Sequence, residues 1–370
     1  MSSKQTQTTR GLQRLLPRFR KLRIGVLGDV MLDRYVWGEA TRLSPEAAVP
    51  VVNYVSQRDL PGGAGNVAAN VAALGAKVNL FGVVGGSAEK GTRKPSPDED
   101  GSAVRACLRD AGVDDRGILT DAGRITTLKT RIIARRHQIV RIDRERRDPL
   151  SQATEEKLFR AVVSSLADLD GMVLSDYDKG LLGDDLTDRV LHAAHQANVP
   201  VFVKPKSSRR RVYNGARVVV CNAKEAAEYL GHALPDEKSV VDAGRALLEH
   251  FGAAAMVITR GGQGMNLFQE ALPHHMHIPA TNFEMTYAHV GQTEIEPDET
   301  GRQVYDVTGA GDTVLSVLAL AITSGANLPD SARLASVAAG VVVEKLGTAT
   351  LDAGELSKRL RWEAERFIAR

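Results

Sequence analysis

Short apolar runs rich in β-branched residues alternate with helix-period segments along most of the chain. Residues 23–28, 78–84, 172–174, 199–203, 217–221 and 255–259 read as buried strands, several closing on glycine or a polar residue. Between them, residues 66–74, 151–167, 184–197, 223–230 and 239–250 place apolar side chains at helical spacing. This strand-then-helix rhythm predicts an α/β protein with a mostly parallel central sheet covered by helices on both faces. In such sheets ligands sit beyond the carboxyl ends of the strands. Two stretches break the rhythm. Residues 36–55 and 128–143 read as strands with little helix between them, the second as a hairpin about Arg136-His137. They predict a small β lid beside the main sheet, built from separate parts of the chain, that covers a ligand or pairs with a second subunit because its apolar face needs a partner.

Composition narrows the class. With 370 residues, 43% hydrophobic and 25% charged, the chain reads as an ordinary globular protein. A net charge of +3 points to neither nucleic acid nor an anionic membrane. Local basic clusters, 135–136, 144–147 and 209–211, are either solvated surface or contacts for a phosphorylated ligand. The two cysteines, Cys107 and Cys221, are too few for a disulfide framework or a CxxC metal site. No apolar run reaches the roughly 18 residues of a membrane span, and residues 1–20 lack the apolar segment of a signal peptide. A cytoplasmic location is expected, with 1–20 a poorly ordered extension and 21–370 one domain. Polar insertions at 87–101 and 281–302 read as surface loops.

The polar motifs follow predicted strands. Asp306-Val307-Thr308-Gly309-Ala310-Gly311-Asp312-Thr313 opens an apolar helix. Small residues at a helix start let backbone N–H groups close on an anion, and the helix dipole adds positive potential. Gly309, Ala310 and Gly311 are therefore candidates to hold phosphoryl oxygens. Asp312, in the first turn, is placed to take a proton from an attacking hydroxyl. The competing reading is a tight turn with an acidic helix cap.

Pro61-Gly62-Gly63-Ala64-Gly65-Asn66 is either a ligand-hugging loop, with Asn66 reaching a hydroxyl, or a plain entry into an Ala-rich helix. Asp29 and Asp33, after the first strand, suit hydrogen bonds to sugar hydroxyls. Asn222-Ala223-Lys224-Glu225 either organises Mg2+-bound water near phosphates or forms a capping box. Asp176 lies in the polar stretch 175–180. Lys179 and Lys206 are candidate phosphate contacts. Thr259, Gly261 and Gly264 belong to a candidate nucleotide-side loop. His274, His275 and His277 lack the spacing of a metal site. No P-loop, GxSxG elbow, HExxH or opening GxGxxG is present.

Taken together, these residues resemble the ribokinase-like (PfkB) carbohydrate kinase family, with 61–66 similar to its first signature and 306–313 to its second. The resemblance runs from about residue 23 to 351. Within the family, residues 28–35, Ser44-Pro45-Glu46, Ser175-Asp176-Tyr177 with Lys179-Gly180, and residues 340–348 resemble the kinases of D-glycero-β-D-manno-heptose 7-phosphate. The resemblance implies an α/β/α sandwich with a β lid, often a homodimer through that lid. It implies Asp312 as catalytic base and 309–312 as anion hole. Asp33, Gly62, Gly63 and Asn66 would bind the sugar, with Asp176, Lys179 and Lys206 as further substrate contacts. Asn222, Ala223, Lys224 and Glu225 would lie near ATP and Mg2+, Glu225 through a water, with Thr259, Gly261 and Gly264 on the nucleotide side. ATP and Mg2+ are implied as cofactors, and K+ activation is left open. The implied product is the heptose 1,7-bisphosphate, toward lipopolysaccharide core synthesis, from a kinase without the second domain that bifunctional relatives carry.

The family's usual Asp-Pro-Lys is Lys204-Pro205-Lys206 here, and Gly86 replaces an acidic residue after the second predicted strand. Another PfkB sugar kinase, acting for instance on fructose 6-phosphate, an inactive sugar-sensing protein and an α/β dehydrogenase are the alternatives.

Overall fold

The computed structural model describes residues 11–88, 95–134, 137–206, 213–270, 275–281, 286–287, 303–304, 307–345 and 347–368. Nine strands form the main sheet among these residues: β1 (Arg23–Gly28), β4 (Lys77–Ser87), β5 (Asp114–Asp121), β8 (Gly171–Ser175), β9 (Val201–Lys204), β10 (Val218–Asn222), β11 (Ala255–Thr259), β12 (Met265–Gln269) and β13 (Met276–Ile278), besides the two-residue strand Ser96–Pro97, antiparallel to the end of β4. Their order is β13-β12-β11-β10-β9-β8-β1-β4-β5, parallel from β11 to β5 and antiparallel at β12 and β13.

Both faces are buried, as the continuous apolar runs require. Ile24, Val26, Val173, Val218 and Val220 pack on one side with α1 (Ala64–Ala73), α7 (Ala310–Thr323) and α8 (Leu328–Val342). Leu27, Met172, Leu174, Val219 and Ile258 pack on the other with α3 (Gln152–Val163), α4 (Asp184–Gln196), α5 (Ala223–Leu230) and α6 (Glu237–Phe251). The chain leaves β1 for β4 on one side and later returns to β8 on the other. That reversal opens a crevice at the carboxyl ends of β1 and β8, where the register pairs Gly28 with Ser175 and Ser175 with Lys204.

A second sheet stands apart, in the order β3 (Pro50–Gly63), β2 (Val30–Leu43), β6 (Thr127–Ala134), β7 (His137–Arg144). It is the lid, longer than the 36–55 expected for its first part. The strand pair begins at Val30 opposite Gly63, so the glycine motif is the end of a lid strand and not a separate loop. The hairpin lies where the pattern placed it, with Ala134 opposite His137 and Arg136 outside the described residues.

Two expectations are corrected. Leu12, Leu15, Leu16 and Phe19 are buried in the main core, so the second half of the supposed extension is part of the fold. Their spacing is a helical stripe, hidden in the sequence by the basic residues between them. The polar insertion at 87–101 ends earlier than expected. Asp98 accepts a hydrogen bond from the Gly101 amide at 2.7 Å and caps α2 (Glu99–Asp110). Most of the 281–302 insertion lies outside the described residues.

Candidate active site

A cavity of about 540 Å³ sits between the lid and the carboxyl ends of the strands. Asp312 is at its centre, from the first turn of α7, and is 3% exposed. Gly309 precedes that helix with φ +84°, a left-handed conformation that disfavours any side chain, and a Cβ there would lie 2.8 Å from the Asn66 amide nitrogen. The turn closes through Ala310 N–H on the Val307 carbonyl (3.3 Å) and Asp312 N–H on the Gly309 carbonyl (3.0 Å). Gly311 lies in the first helical turn, whose N–H groups have no carbonyl partner within the helix. Asp306 lies outside the described residues.

Three side chains hold the Asp312 carboxylate. The Asn66 amide donates to Oδ2 at 2.8 Å, the Tyr177 hydroxyl to Oδ1 at 2.5 Å, and the Lys204 ammonium to Oδ1 at 2.6 Å. Each is placed by a different element. Asn66 is on α1, which is locked to α7 by Thr313 Oγ1 donating to Asn70 Oδ1 (2.9 Å) and Ser316 Oγ donating to the Val67 carbonyl (3.2 Å). Tyr177 follows β8, in a loop shaped by buried Asp29, whose Oδ2 accepts from the backbone N–H groups of Tyr177 (2.8 Å) and Lys179 (3.2 Å). Burial pushes the Asp29 carboxyl up, against those backbone bonds. Asp29 therefore organises the loop and does not reach the cavity. Burial and then the Asp312 charge push the Tyr177 phenol above its ordinary value, so it stays a donor.

The lid lines the other wall with Met31, Asp33, Lys129, Arg131 and Arg141. Register explains this: Asp33 pairs with Lys129, and Tyr35 with Arg131, which pairs with Arg141, so these side chains share one face. The Arg131 guanidinium donates to Asp33 Oδ1 at 2.7 Å and lies over the Tyr35 ring, 5.1 Å from its centroid. Burial pushes the Asp33 carboxyl up, with Arg131 and Lys129 opposing. A Cβ on Gly62 would lie 2.5 Å from Asp33 Oδ2, so glycine is what admits that carboxylate against the lid backbone. The cavity thus sets the Asp33 carboxylate, with three lid cations, across from the Asp312 carboxylate at the start of α7.

The remaining wall comes from Asn222, Glu225, Thr259, Gly261 and Gly264, with Ala223, Lys224 and Arg260 lining an adjoining cleft of about 310 Å³. Asn222 and Glu225 form the capping box: Asn222 Oδ1 accepts from Glu225 N–H at 2.8 Å, and Glu225 Oε2 accepts from Asn222 N–H at 3.0 Å. Glu225 Oε1 is 3.5 Å from Lys206 Nζ. Two readings are thus compatible here, since the cap uses one carboxylate oxygen and leaves the other at the cavity. Among the described residues no cluster of three metal-ligating side chains exists.

Three expected substrate contacts are placed elsewhere. Lys179 pairs with Glu145 at 2.8 Å, Lys206 faces Glu225, and Asp176 Oδ1 accepts the Asp178 N–H at 2.8 Å. None of the three lines the cavity, and neither do Gly62 and Asn66, which were also expected against the sugar: Gly62 lies beneath the Asp33 carboxylate and the Asn66 amide is taken by Asp312. Among the polar residues that do line it, Tyr177, Lys129, Arg131 and Arg141 had no role assigned from the sequence, and Lys204 stood out there only as a departure from the family pattern. The alternating Lys129–Arg131 pair on a predicted lid strand was the available signal for two of them.

The chain matches the family model for pfkB family carbohydrate kinases over residues 21–353. It is 42% identical over 331 residues to the bifunctional protein HldE of Geobacter sulfurreducens, covering 90% of this chain and 61% of that protein. With the HldE of Caulobacter vibrioides it shares 42% identity over 334 residues, covering 90% of this chain and 62% of the relative. The chain thus spans somewhat less than two thirds of the length of these relatives. Among solved structures, Escherichia coli phosphofructokinase-2 in complex with substrates and products aligns with a TM-score of 0.70 and 17% identity, covering 93% of this chain and 100% of that one. Arabidopsis thaliana ribokinase complexed with ribose and ATP aligns at 0.67 and 19%, covering 92% and 99%. These likenesses establish a ribokinase-like fold.

Proposed function

The chain belongs to the pfkB family of carbohydrate kinases, and from that premise we propose that it transfers the γ-phosphoryl group of ATP to O1 of D-glycero-β-D-manno-heptose 7-phosphate. The observation that carries the substrate class is the lid face of Lys129, Arg131 and Arg141, which puts three cations on the sugar side of the cavity, each also paired with a neighbouring carboxylate (Asp143 and Glu145, Asp33, and Asp143). An acceptor that already bears a phosphate matches them. The finer identity of the sugar rests on the motif resemblance and on the HldE relatives.

In this reading the sugar lies between Asp33 and Asp312, and its phosphate meets the lid cations. ATP lies along the wall from Asn222 to Gly264 with its γ-phosphate at Gly309–Gly311. Asp312 takes the proton of the attacking hydroxyl through Oδ2, whose only donor among the described residues is Asn66. The helix start stabilises the charge that develops on the transferred group. Mg2+ bound with ATP supplies charge neutralisation at the phosphates, and Glu225 is the residue that would hold its water. A panel of sugars and sugar phosphates assayed by ADP release tests the proposal. Preferred turnover of heptose 7-phosphate is expected; good turnover of another sugar phosphate with none of this one sinks it.

We also propose a homodimer through the lid. Val140 and Ile142 alternate with the cavity-facing residues and are 44% and 56% exposed. Leu43, Tyr54 and Val55 at the far end of the lid are also exposed, and a second lid would cover such apolar side chains.

A further inference from the structure

Lys204 stands where the resemblance leads one to expect a carboxylate, and its surroundings give that exchange a consequence. It ends β9, and its side chain is 16% exposed. Its ammonium group donates to Asp312 Oδ1 at 2.6 Å and to the Tyr177 hydroxyl at 3.1 Å, and lies 4.9 Å from the centroid of the Tyr177 ring. An ammonium has three hydrogens. The third has no partner among the described residues. The same nitrogen would lie 3.4 Å from a Cβ built on Gly311, so it adjoins the helix start that faces the anion, and Lys204 lines the cavity.

Burial alone would favour loss of the ammonium's proton. The Asp312 carboxylate, with Tyr177 and Glu225, outweighs it and raises Lys204 above the usual lysine value. The group is a permanent cation. It does not obstruct Asp312, because it occupies Oδ1 and leaves Oδ2 to Asn66 and one further donor.

We propose that Lys204 is a catalytic cation of this site: it fixes the Asp312 carboxylate and, through its third hydrogen, contacts the phosphoryl group in transfer. The inference rests on the reading of Asp312 as base. In the step, the acceptor oxygen forms a bond to the γ-phosphorus while its proton passes to Asp312 Oδ2. The bond from that phosphorus to the bridging oxygen breaks, and its electron pair leaves on ADP. Lys204 gains and loses no proton. It offsets negative charge on the equatorial oxygens as the group moves between two anionic partners, where a fixed cation is worth more than in water.

Lys204→Met keeps the length of the side chain and removes the charge. With ATP and the sugar phosphate that the panel identifies, kcat should fall by roughly 10²–10³-fold, while both KM values stay within about three-fold. Binding of ADP with aluminium fluoride, a mimic of the group in transfer, should weaken in parallel, with affinity for ADP alone unchanged. A purely structural role would not separate those two affinities. Lys204→Arg should recover part of the rate, and Lys204→Gln carries the same expectation as the Met variant should that protein not fold. Turnover of Lys204→Met at or above the parental rate overturns the proposal and marks the lysine as filler or brake. Asp312→Asn, measured alongside, separates the failures. If it too keeps the parental rate, the reading of the base is wrong. If it alone loses activity, only the role of Lys204 falls.

Discussion

At the scale of single residues, the site is a carboxylate whose surroundings decide what it can do. Asp312 is buried, and three donors from three different elements hold its carboxylate. Such a group should be nearly irreplaceable. Asp312→Asn keeps the shape and loses the ability to accept a proton, so kcat should drop by about 10²-fold or more with binding of ATP little changed, as steady-state kinetics and a nucleotide titration would show. Asp312 was legible from the string 306–313, because a helix start of small residues with an acid in its first turn has few other uses. Tyr177 and Lys204 were not legible as its partners. They come from the ends of neighbouring strands, β8 and β9, and no spacing in the sequence says that two adjacent strand ends aim at a third element 108 or more residues away.

At the scale of elements, the lid is tied to the body by charge as well as by chain. Glu145, just past β7, receives Lys129 of the lid at 3.3 Å and Lys179 of the β8 loop at 2.8 Å. Burial would raise its carboxyl, but hydrogen bonds from Lys179 and Arg147 and the charge of Lys129 prevail and lower it to about 2. A depressed carboxyl stabilises the fold above its unfolded value, roughly 4.3, and that contribution fades as pH falls through the folded one. Glu145→Gln should therefore be less stable than the parent at neutral pH, and the gap should close between about pH 4.5 and 2. Denaturant titrations at stepped pH would follow it; a constant gap would show that Glu145 acts by packing. The outer lid face makes a second prediction. Ile142→Asp should convert a dimer to monomer in sedimentation velocity, and an unchanged dimer would move the interface elsewhere. The existence of a lid was legible from two stretches that broke the strand–helix rhythm. Its extent was not, since the glycine motif that ends β3 reads equally well as a loop.

At the scale of the whole molecule, the N-terminal stripe is part of the core. Phe19 is fully buried beside Leu16, and Arg18 reaches the Ser324 carbonyl at the end of α7 with a bond of 3.2 Å. Phe19→Ala should cost about 3–5 kcal/mol in thermal or denaturant unfolding; a change near zero would mean the segment is only laid on the surface. By itself, the sequence determined the strand–helix alternation, the parallel sheet and the motifs at strand ends, because periodicity and backbone-permissive glycines are local properties of the chain. Only the tertiary structure decided which of those motifs meet. It brought Asn66, Tyr177 and Lys204 onto one carboxylate, paired Lys179 with Glu145 and Lys206 with Glu225, and put Lys129, Arg131 and Arg141 on the cavity wall. The physical reason is that an ion pair or hydrogen bond depends on distances across several ångströms of packed interior, and those are settled by strand order and register, which no local pattern carries.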